Sequence, residues 1–387
     1  MSRSVRIALV ISWSLAYCRS VMRGVRQYAA GRADWIITPV DPEYDLARAL
    51  TRLRPDGVIA HVYSTSMESL LLRRGIPTIN VSGVLEKDRL WRVGIDDEHV
   101  GRTAAEHLLA RGLRSFAYVG FASHGFAVRR GHGFADELAR HGASCARFGA
   151  AATEAFRTQG SDWGVDRRLL DWLGRQPRPL GVFCCNDLWG FQIAEAARQL
   201  GCVVPHDLAI VGVDDDDLLC NLARPSLSSI QVPGERIGFE AARRLDPMLL
   251  RPSRAPGRDL LLPAIGVRTR ESSDMIACED RDVADAIRFI RSATGRRIAV
   301  SDVLAEVPVG RRTLERRFRR AIGRGIWDEI QRNRLAAAQR WLAGTAWSMT
   351  TIAQRSGFAS SKDLAQAFRR HLNLTPGAYR RQVRPSG

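Results

Sequence analysis

With 387 residues, 45% of them hydrophobic and 26% charged, the chain is long enough for two or three domains with packed cores. No apolar run approaches the ~20 residues of a membrane span, and the run Ile7–Ile11 is too short for a secretory signal and is followed by no small-residue cleavage pattern. The net charge of +17 is unevenly placed: Arg281–Gly387 holds 21 Arg and 1 Lys against 8 Asp or Glu, a net +14, and the remaining 280 residues stand at +3.

Such asymmetry points to a polyanion partner for the tail. An arginine-rich proteome, with Lys87 and Lys362 as the only lysines, would spread its charge evenly instead. Seven cysteines (Cys18, Cys145, Cys184, Cys185, Cys202, Cys220 and Cys278) make an odd number without a C-x-x-C pair. Reduced thiols in a cytoplasmic protein are expected.

Along the body, short apolar runs alternate with helical patterns. VRIALVI at 5–11 precedes an amphipathic stretch at Arg19–Ala30; WIITPV, a helix near Leu46–Leu53 and DGVIAHV follow. PTINVSG and WRVGI come next, then helices at Val100–Arg111 and Arg129–His141 on either side of SFAYVGF. LGVFCCND, a helix at Leu188–Leu200 and LAIVGVDDDD complete the series. Apolar runs without polar alternation predict strands buried on both faces, hence parallel sheets covered by helices. Two such series predict two doubly wound lobes. Ligands bind such sheets at the carboxyl ends of the strands, which selects Ser12-Trp13, Asn186-Asp187 and Asp214-Asp215. Four consecutive carboxylates, Asp214–Asp217, cannot all face one ion, and no histidine supports them, so neither a metal nor a cofactor is expected.

The tail reads as helix throughout: Val283–Ser292, Ser301–Val307, Gly310–Ile322, Ile326–Ala343, Met349–Arg355 and Ser361–Leu372. It holds an internal repeat, LERRFRRAI at 314–322 and LAQAFRRHL at 364–372, with Val303 and Val309 corresponding to Ile352 and Phe358. Each copy has helix-turn-helix grammar. In GRRTLERRFRR, Leu314, Phe318, Ala321 and Ile322 form an inward face. Arg312, Glu315, Arg316 and Arg319 share another, where one acid against six arginines favours a phosphate-lined groove over water. The helix between the copies would hold two such readers apart as a strut.

The body resembles the periplasmic-binding-protein-like sensor domain of LacI/GalR-type repressors, carried by IPTINVSG, VGIDDEHVGRTAAEHLLARGLRSFAYVG, RRGHGFADEL, FCCND and DLAIVGVDDDD in that order. That resemblance implies a small effector, commonly a sugar, in the cleft, with Arg130, Asn186, Asp187 and Asp214 as polar contacts. Trp13, with Tyr17 beside it, would stack on a sugar face or fill core; Arg130 is otherwise a surface charge beside Arg129. LacI-type repressors carry their DNA-reading helices at the N-terminus, whereas here the sensor pattern begins at residue 5, so a DNA reader is expected elsewhere in the chain. RRTLERRFRR, RLAAAQRWL and IAQRSGFASSKDLAQAFRRHLNLTPGAYRR resemble the AraC/XylS DNA-binding domain. Its base-reading positions fall on Arg312, Glu315 and Arg316 in the first copy and on Ser361, Lys362 and Gln366 in the second. Ser360 would cap the second reader, Gly357 would make its turn, and Pro376-Gly377 would form a terminal turn. Pro308 and Gly310 depart from that pattern in the first copy.

The expected fold is therefore α/β, two doubly wound parallel-sheet lobes (type I periplasmic-binding-protein-like) in residues 1–270. A linker at 271–281 and an all-α unit with two helix-turn-helix motifs at 282–387 complete it. The order of modules resembles the xylose-operon regulator family. This implies a cytoplasmic, non-enzymatic, sequence-specific transcriptional regulator, an activator, controlled by xylose or a related monosaccharide. Its expected partners are double-stranded DNA half-sites, a second copy of itself as a homodimer, and RNA polymerase, with no membrane. A solute-binding protein of a transport system is the alternative, and a DNA-acting enzyme a third class, for which the tail offers no catalytic motif.

Overall fold

A computed structural model describes residues 4–42, 45–150, 165–250, 259–275, 280–293 and 295–383. The chain divides into two compact units, Met1–Met275 and Ile276–Gly387.

The first unit has two lobes, each built on a six-stranded sheet. One sheet contains β1 (Val5–Val10), β2 (Trp35–Val40), β3 (Gly57–Ala60), β4 (Thr78–Asn80), β5 (Trp91–Ile95) and β11 (Leu260–Leu262), in the order β11-β5-β4-β3-β1-β2. All its pairings are parallel. Helices α1 (Ala16–Ala29) and α9 (Gly234–Leu250) cover one face with a core that includes Ile7, Leu9, Val21, Ile59, Ile237 and Leu245. On the other face, α2 (Leu46–Leu53) and α3 (Thr65–Arg74) bring Leu50, Met67 and Leu71 against Val10 and Val58. Gly24 and Gly238 let α1 and α9 touch backbone to backbone: a Cβ on Gly238 would stand 1.9 Å from the Val21 carbonyl oxygen.

The second sheet contains β6 (Ser115–Phe121), β7 (Cys145–Ala150), β8 (Leu180–Cys184), β9 (Leu208–Val213), β10 (Ser228–Gln231) and β12 (Gly266–Arg268), in the order β12-β10-β9-β8-β6-β7. It is parallel except for the edge strand β12. Its helices are α4 (Asp97–Leu109), α5 (Gly125–Arg140), α6 (Arg167–Gly174), α7 (Asp187–Gln199) and α8 (Asp217–Leu222). All residues of β8 and β9 are buried, which is why their sequences show no alternation. The chain passes between lobes three times, after β5, after β10 and after β11.

Helices α4, α5 and α7 start earlier than their apolar periodicity predicts; α4 and α7 are opened by capping side chains, whereas α5 has no side-chain cap. Asp96 accepts from the His99 amide at 2.9 Å and Asn186 from the Trp189 amide at 3.0 Å. Residue pattern alone does not predict the strands β7, β10, β11 and β12 or the helices α3, α6, α8 and α9. Three-residue strands such as β11 have no period to read. The start of the predicted 271–281 linker is corrected. Glu271–Ser273 form a 3-10 turn bound to the second lobe, where Glu271 accepts from Ser226 and the Ser272 hydroxyl donates to the Ile210 carbonyl at 2.6 Å. Residues 276–279, within that predicted linker, lie outside the described residues, as does Cys278. The six described cysteines are free thiols.

The second unit is all helix: α10 (Arg281–Ser292), α11 (Val300–Ala305), α12 (Arg311–Ile322), α13 (Ile326–Gly344), α14 (Met349–Arg355), α15 (Ser361–Leu372) and α16 (Pro376–Val383). It has two separate cores. The first packs Ile287, Ile290, Val303, Leu314, Phe318 and Ile322; the second packs Ile352, Phe358, Leu364 and Phe368. Helix α13 supplies Ile326 and Ile330 to the first and Leu335, Ala338 and Leu342 to the second, so it is the predicted strut. Pro376-Gly377, predicted as a terminal turn, instead begins α16. Proline suits a first helical position because its missing N–H has no intrahelical partner there.

Candidate effector cleft and nucleic-acid interface

Two strand ends of the first lobe supply the cleft's upper side. After β1, Ser12 and Trp13 lead into α1, and Trp13 is 48% exposed, so the alternative of Trp13 as core is excluded. Tyr17, one turn into α1, donates from its hydroxyl to the Val81 carbonyl at 2.6 Å and stands 6.1 Å ring to ring from His61, the residue after β3. Burial and the neighbouring His124 hold His61 down at about 4, so it is neutral at pH 7.

The second lobe supplies a charged group and an aromatic wall. Arg130 is almost fully buried, not a surface charge. Its Nε donates to Asp97 Oδ1 at 3.0 Å and its Nη1 to the Cys185 carbonyl at 2.6 Å, with the guanidinium 4.9 Å above the Phe126 ring. Its Nη2 has no hydrogen-bond partner among the described residues. Arg129 binds Asp97 Oδ2 at 3.0 Å and reaches the first lobe through the Gly83 carbonyl at 2.9 Å. Phe121, at the end of β6, lies 4.5 Å from the His124 ring and 5.9 Å from the Trp189 ring. His124 Nδ1 is buried without a hydrogen-bond partner among the described residues.

The four aspartates after β9 point to different tasks. The Asp214 carboxylate accepts no hydrogen bond from a described residue. Burial pushes it up to about 6 against the pull of Arg130, with Asp97 and Asp216 adding to the rise. Asp215 pairs with Arg270 at 2.6 Å, Asp216 caps α8 and lies 3.7 Å from Arg19 of the first lobe, and Asp217 is exposed. Asp214 and Asp215 both have positive φ, 104° and 51°. Aspartate tolerates left-handed backbone better than most residues, but two in succession, one of them at 104°, mark an uncommon conformation of the kind that clusters at functional sites.

Of the expected ligand contacts, Arg130 and Asp214 come together and keep unused hydrogen-bonding atoms. Asn186 caps α7 with Oδ1 and keeps Nδ2 unused among the described residues. Asp187 is otherwise occupied: its two oxygens accept from the Ser229 hydroxyl at 2.6 Å and the Asp216 amide at 2.7 Å. Reading the sequence missed His61, His124, Phe121 and Phe126. His61 and His124 sit just past β3 and β6, and the strand-end rule that selected Asp214 would have found them.

In the second unit, α12 buries Leu314, Phe318 and Ile322. Arg312, Arg316, Arg319 and Arg320 are exposed and pair with no carboxylate among the described residues. Arg317 is different, bound to Asp282 at 2.9 Å, and Glu315 is held by Arg311 at 2.9 Å on the surface. In the second copy, Ser361, Lys362 and Gln366 are exposed on α15, and Ser360 caps it by accepting from the Asp363 amide at 3.2 Å. Gly357 turns at φ 79°, and a Cβ there would meet the Arg296 carbonyl oxygen at 2.5 Å. The first copy, with Pro308 at the corresponding place, has no left-handed residue in its turn, and Gly310 begins α12 without a side-chain cap.

Comparison with known proteins matches both units. Residues 105–273 fit the periplasmic binding protein-like domain family and residues 303–382 a helix-turn-helix domain family. The xylose operon regulatory protein of Escherichia coli K12 is 27% identical over 387 residues, covering 97% of this chain and 96% of its own. That of Haemophilus influenzae is 26% identical over 384 residues, covering 97% and 98%. A solved structure of the xylose-binding transcription activator XylR superposes with a TM-score of 0.80 at 26% identity, covering 98% of each chain.

Proposed function

We propose that this chain, which shares the two-module build of the xylose operon regulators along its whole length, is a sugar-responsive, DNA-binding transcriptional regulator. The observation that carries the reading is α12. Four arginines without carboxylate partners among the described residues stand on a helix whose opposite face is buried, and such crowding is relieved by phosphates and by guanine edges. A transport role would leave this basic helical unit without a use.

Sensing belongs to the cleft. Asp214 offers an unfilled acceptor and Arg130 an unfilled donor beside an aromatic wall, the combination that grips a sugar's hydroxyls and its apolar ring face. D-xylose or a related monosaccharide is the proposed effector, on the likeness to relatives named for xylose. The regulator acts as an activator in the cytoplasm and as a homodimer, so four helix-turn-helix units meet repeated half-sites beside RNA polymerase. Sugar alters DNA binding by favouring one arrangement of the lobes, which requires only that its affinity differ between arrangements. No chemistry is asked of either unit.

Fluorescence anisotropy on promoter DNA, at stepped salt and with a panel of monosaccharides, tests the proposal. Affinity that falls steeply with salt, keeps a preference for one sequence and changes with one sugar is expected. A chain that binds a sugar but no DNA would return the solute-binding reading.

A further inference from the structure

We infer that Asp215 and Arg270 are positioning residues for the effector: their buried ion pair holds the strained turn that aims the Asp214 carboxylate into the cleft. The inference rests on the sugar-binding reading of the cleft. It adds two residues that do not line it.

The turn is held from three sides. Its backbone is bonded at each step: the Asp214 amide to the Ile230 carbonyl at 3.0 Å, the Asp215 amide to Ser229 Oγ at 3.0 Å, and the Asp216 amide to Asp187 Oδ2 at 2.7 Å. Positive φ at two successive aspartates has no glycine to ease it. The Asp215 side chain supplies the remaining hold. Oδ1 takes Arg270 Nη2 at 2.6 Å, and Oδ2 takes Gln231 Nε2 at 3.0 Å and Arg268 Nη1 at 3.3 Å. The Asp215 and Arg270 side chains are only 12% and 10% exposed, so removing Asp215 leaves the Arg270 guanidinium buried without a carboxylate, and removing Arg270 leaves Asp215 with only the longer Arg268 contact at 3.3 Å.

Arg270 also connects the turn to the chain that leaves the lobe. Its Nη1 donates to the Leu227 carbonyl at 2.9 Å and its amide to Ser228 Oγ at 2.8 Å. The next residues are gripped as well: Ser272 Oγ donates to the β9 carbonyl of Ile210 at 2.6 Å, and the Ser273 hydroxyl lies 2.8 Å from His107 Nε2. Five residues separate Arg270 from the start of the DNA-binding unit at Ile276. One ion pair therefore fixes both the effector-facing carboxylate and the exit strand. A sugar bound at Asp214 favours the held turn, and the held turn favours the gripped exit. By linkage, operator DNA then alters sugar affinity by the same factor that sugar alters operator affinity.

The test uses the full-length chain with three substitutions, Arg270→Gln, Asp215→Asn and Arg270→Lys. Calorimetric titration measures D-xylose, L-arabinose, D-ribose and D-glucose, and thermal melts check folding. Arg270→Gln and Asp215→Asn are expected to weaken the effective sugar at least tenfold, with Arg270→Lys recovering part of the loss because its charge persists. Saturating sugar should change operator affinity in the wild type and less in the first two variants. Folded Asp215→Asn or Arg270→Gln binding sugar within twofold of wild type overturns the inference; if Arg270→Gln does not fold, Asp215→Asn decides alone. A wild-type chain that binds none of the four sugars overturns the cleft reading and this inference with it.

Discussion

Asp214 carries the heaviest demand placed on a single residue. It adopts φ 104°, accepts no hydrogen bond from a described side chain or amide, and is pushed up to about 6, chiefly by burial. An acid raised from its ordinary value near 3.9 to about 6 takes up its proton as pH falls through 6. It therefore loses its role as a charged acceptor in that window. Effector affinity should be full above pH 7 and decline as pH drops from 7 to 5, measured by titration calorimetry. Asp214→Asn should weaken binding by about tenfold or more, the worth of a charge-assisted hydrogen bond, and should flatten that pH profile. Ser356 presents the opposite case. It is fully buried, its Oγ has no partner among the described residues, and the first repeat places Val307 at the corresponding point. Ser356→Ala should be neutral or stabilising by up to ~1 kcal/mol in a chemical melt, because no hydrogen bond is lost and a buried hydroxyl is removed.

Among elements, the two recognition helices differ in charge and in how their turns are made. Helix α12 carries four exposed arginines that pair with no carboxylate among the described residues, whereas α15 presents Ser361, Lys362 and Gln366 with a serine cap. Affinity should therefore come mainly from the first. Arg312→Ala is expected to cost about 1–3 kcal/mol at the operator and to relax preference at one base position. Arg319→Ala, outside the positions that the resemblance assigns to base reading, should weaken all DNA alike and lower the salt slope by about 1. Anisotropy against operator and scrambled duplexes separates the two. Helix α13 makes the pair of readers one object: nineteen residues span ~28 Å at 1.5 Å per residue, and its two ends belong to different cores. Arg334 adds a tie to the Ile298 carbonyl at 2.6 Å, and Arg370 stacks 5.5 Å above Trp327, joining the end of α15 to the first turn of α13.

For the molecule as a whole, the chain divides at Met275 and Ile276, and each described apolar cluster lies within one unit. Residues 276–387 expressed alone should fold, bind the operator with the same steep salt dependence, and show no response to sugar; anisotropy and a thermal melt check this. The division of labour was legible beforehand because charge is additive along the chain: the +14 tail and near-neutral body needed only counting. So were the long helices, whose 3.6-residue period repeats within one segment, and the central strands, whose apolar runs require cover on both faces. Leu314 and Phe318 against Leu364 and Phe368 announced the repeat, and Asp214 was marked by its place at a strand end. Tertiary structure alone decided the rest. Asp187 spends both oxygens on Ser229 and Asp216, Arg270 reaches back 55 residues to Asp215, and the short strands β11 and β12 exist only because a sheet edge receives them. Local period and composition are properties of neighbouring residues, so the sequence determined them by itself. Which hydrogen bonds a polar side chain has left to offer depends on partners brought from far along the chain, and only the folded arrangement fixes those.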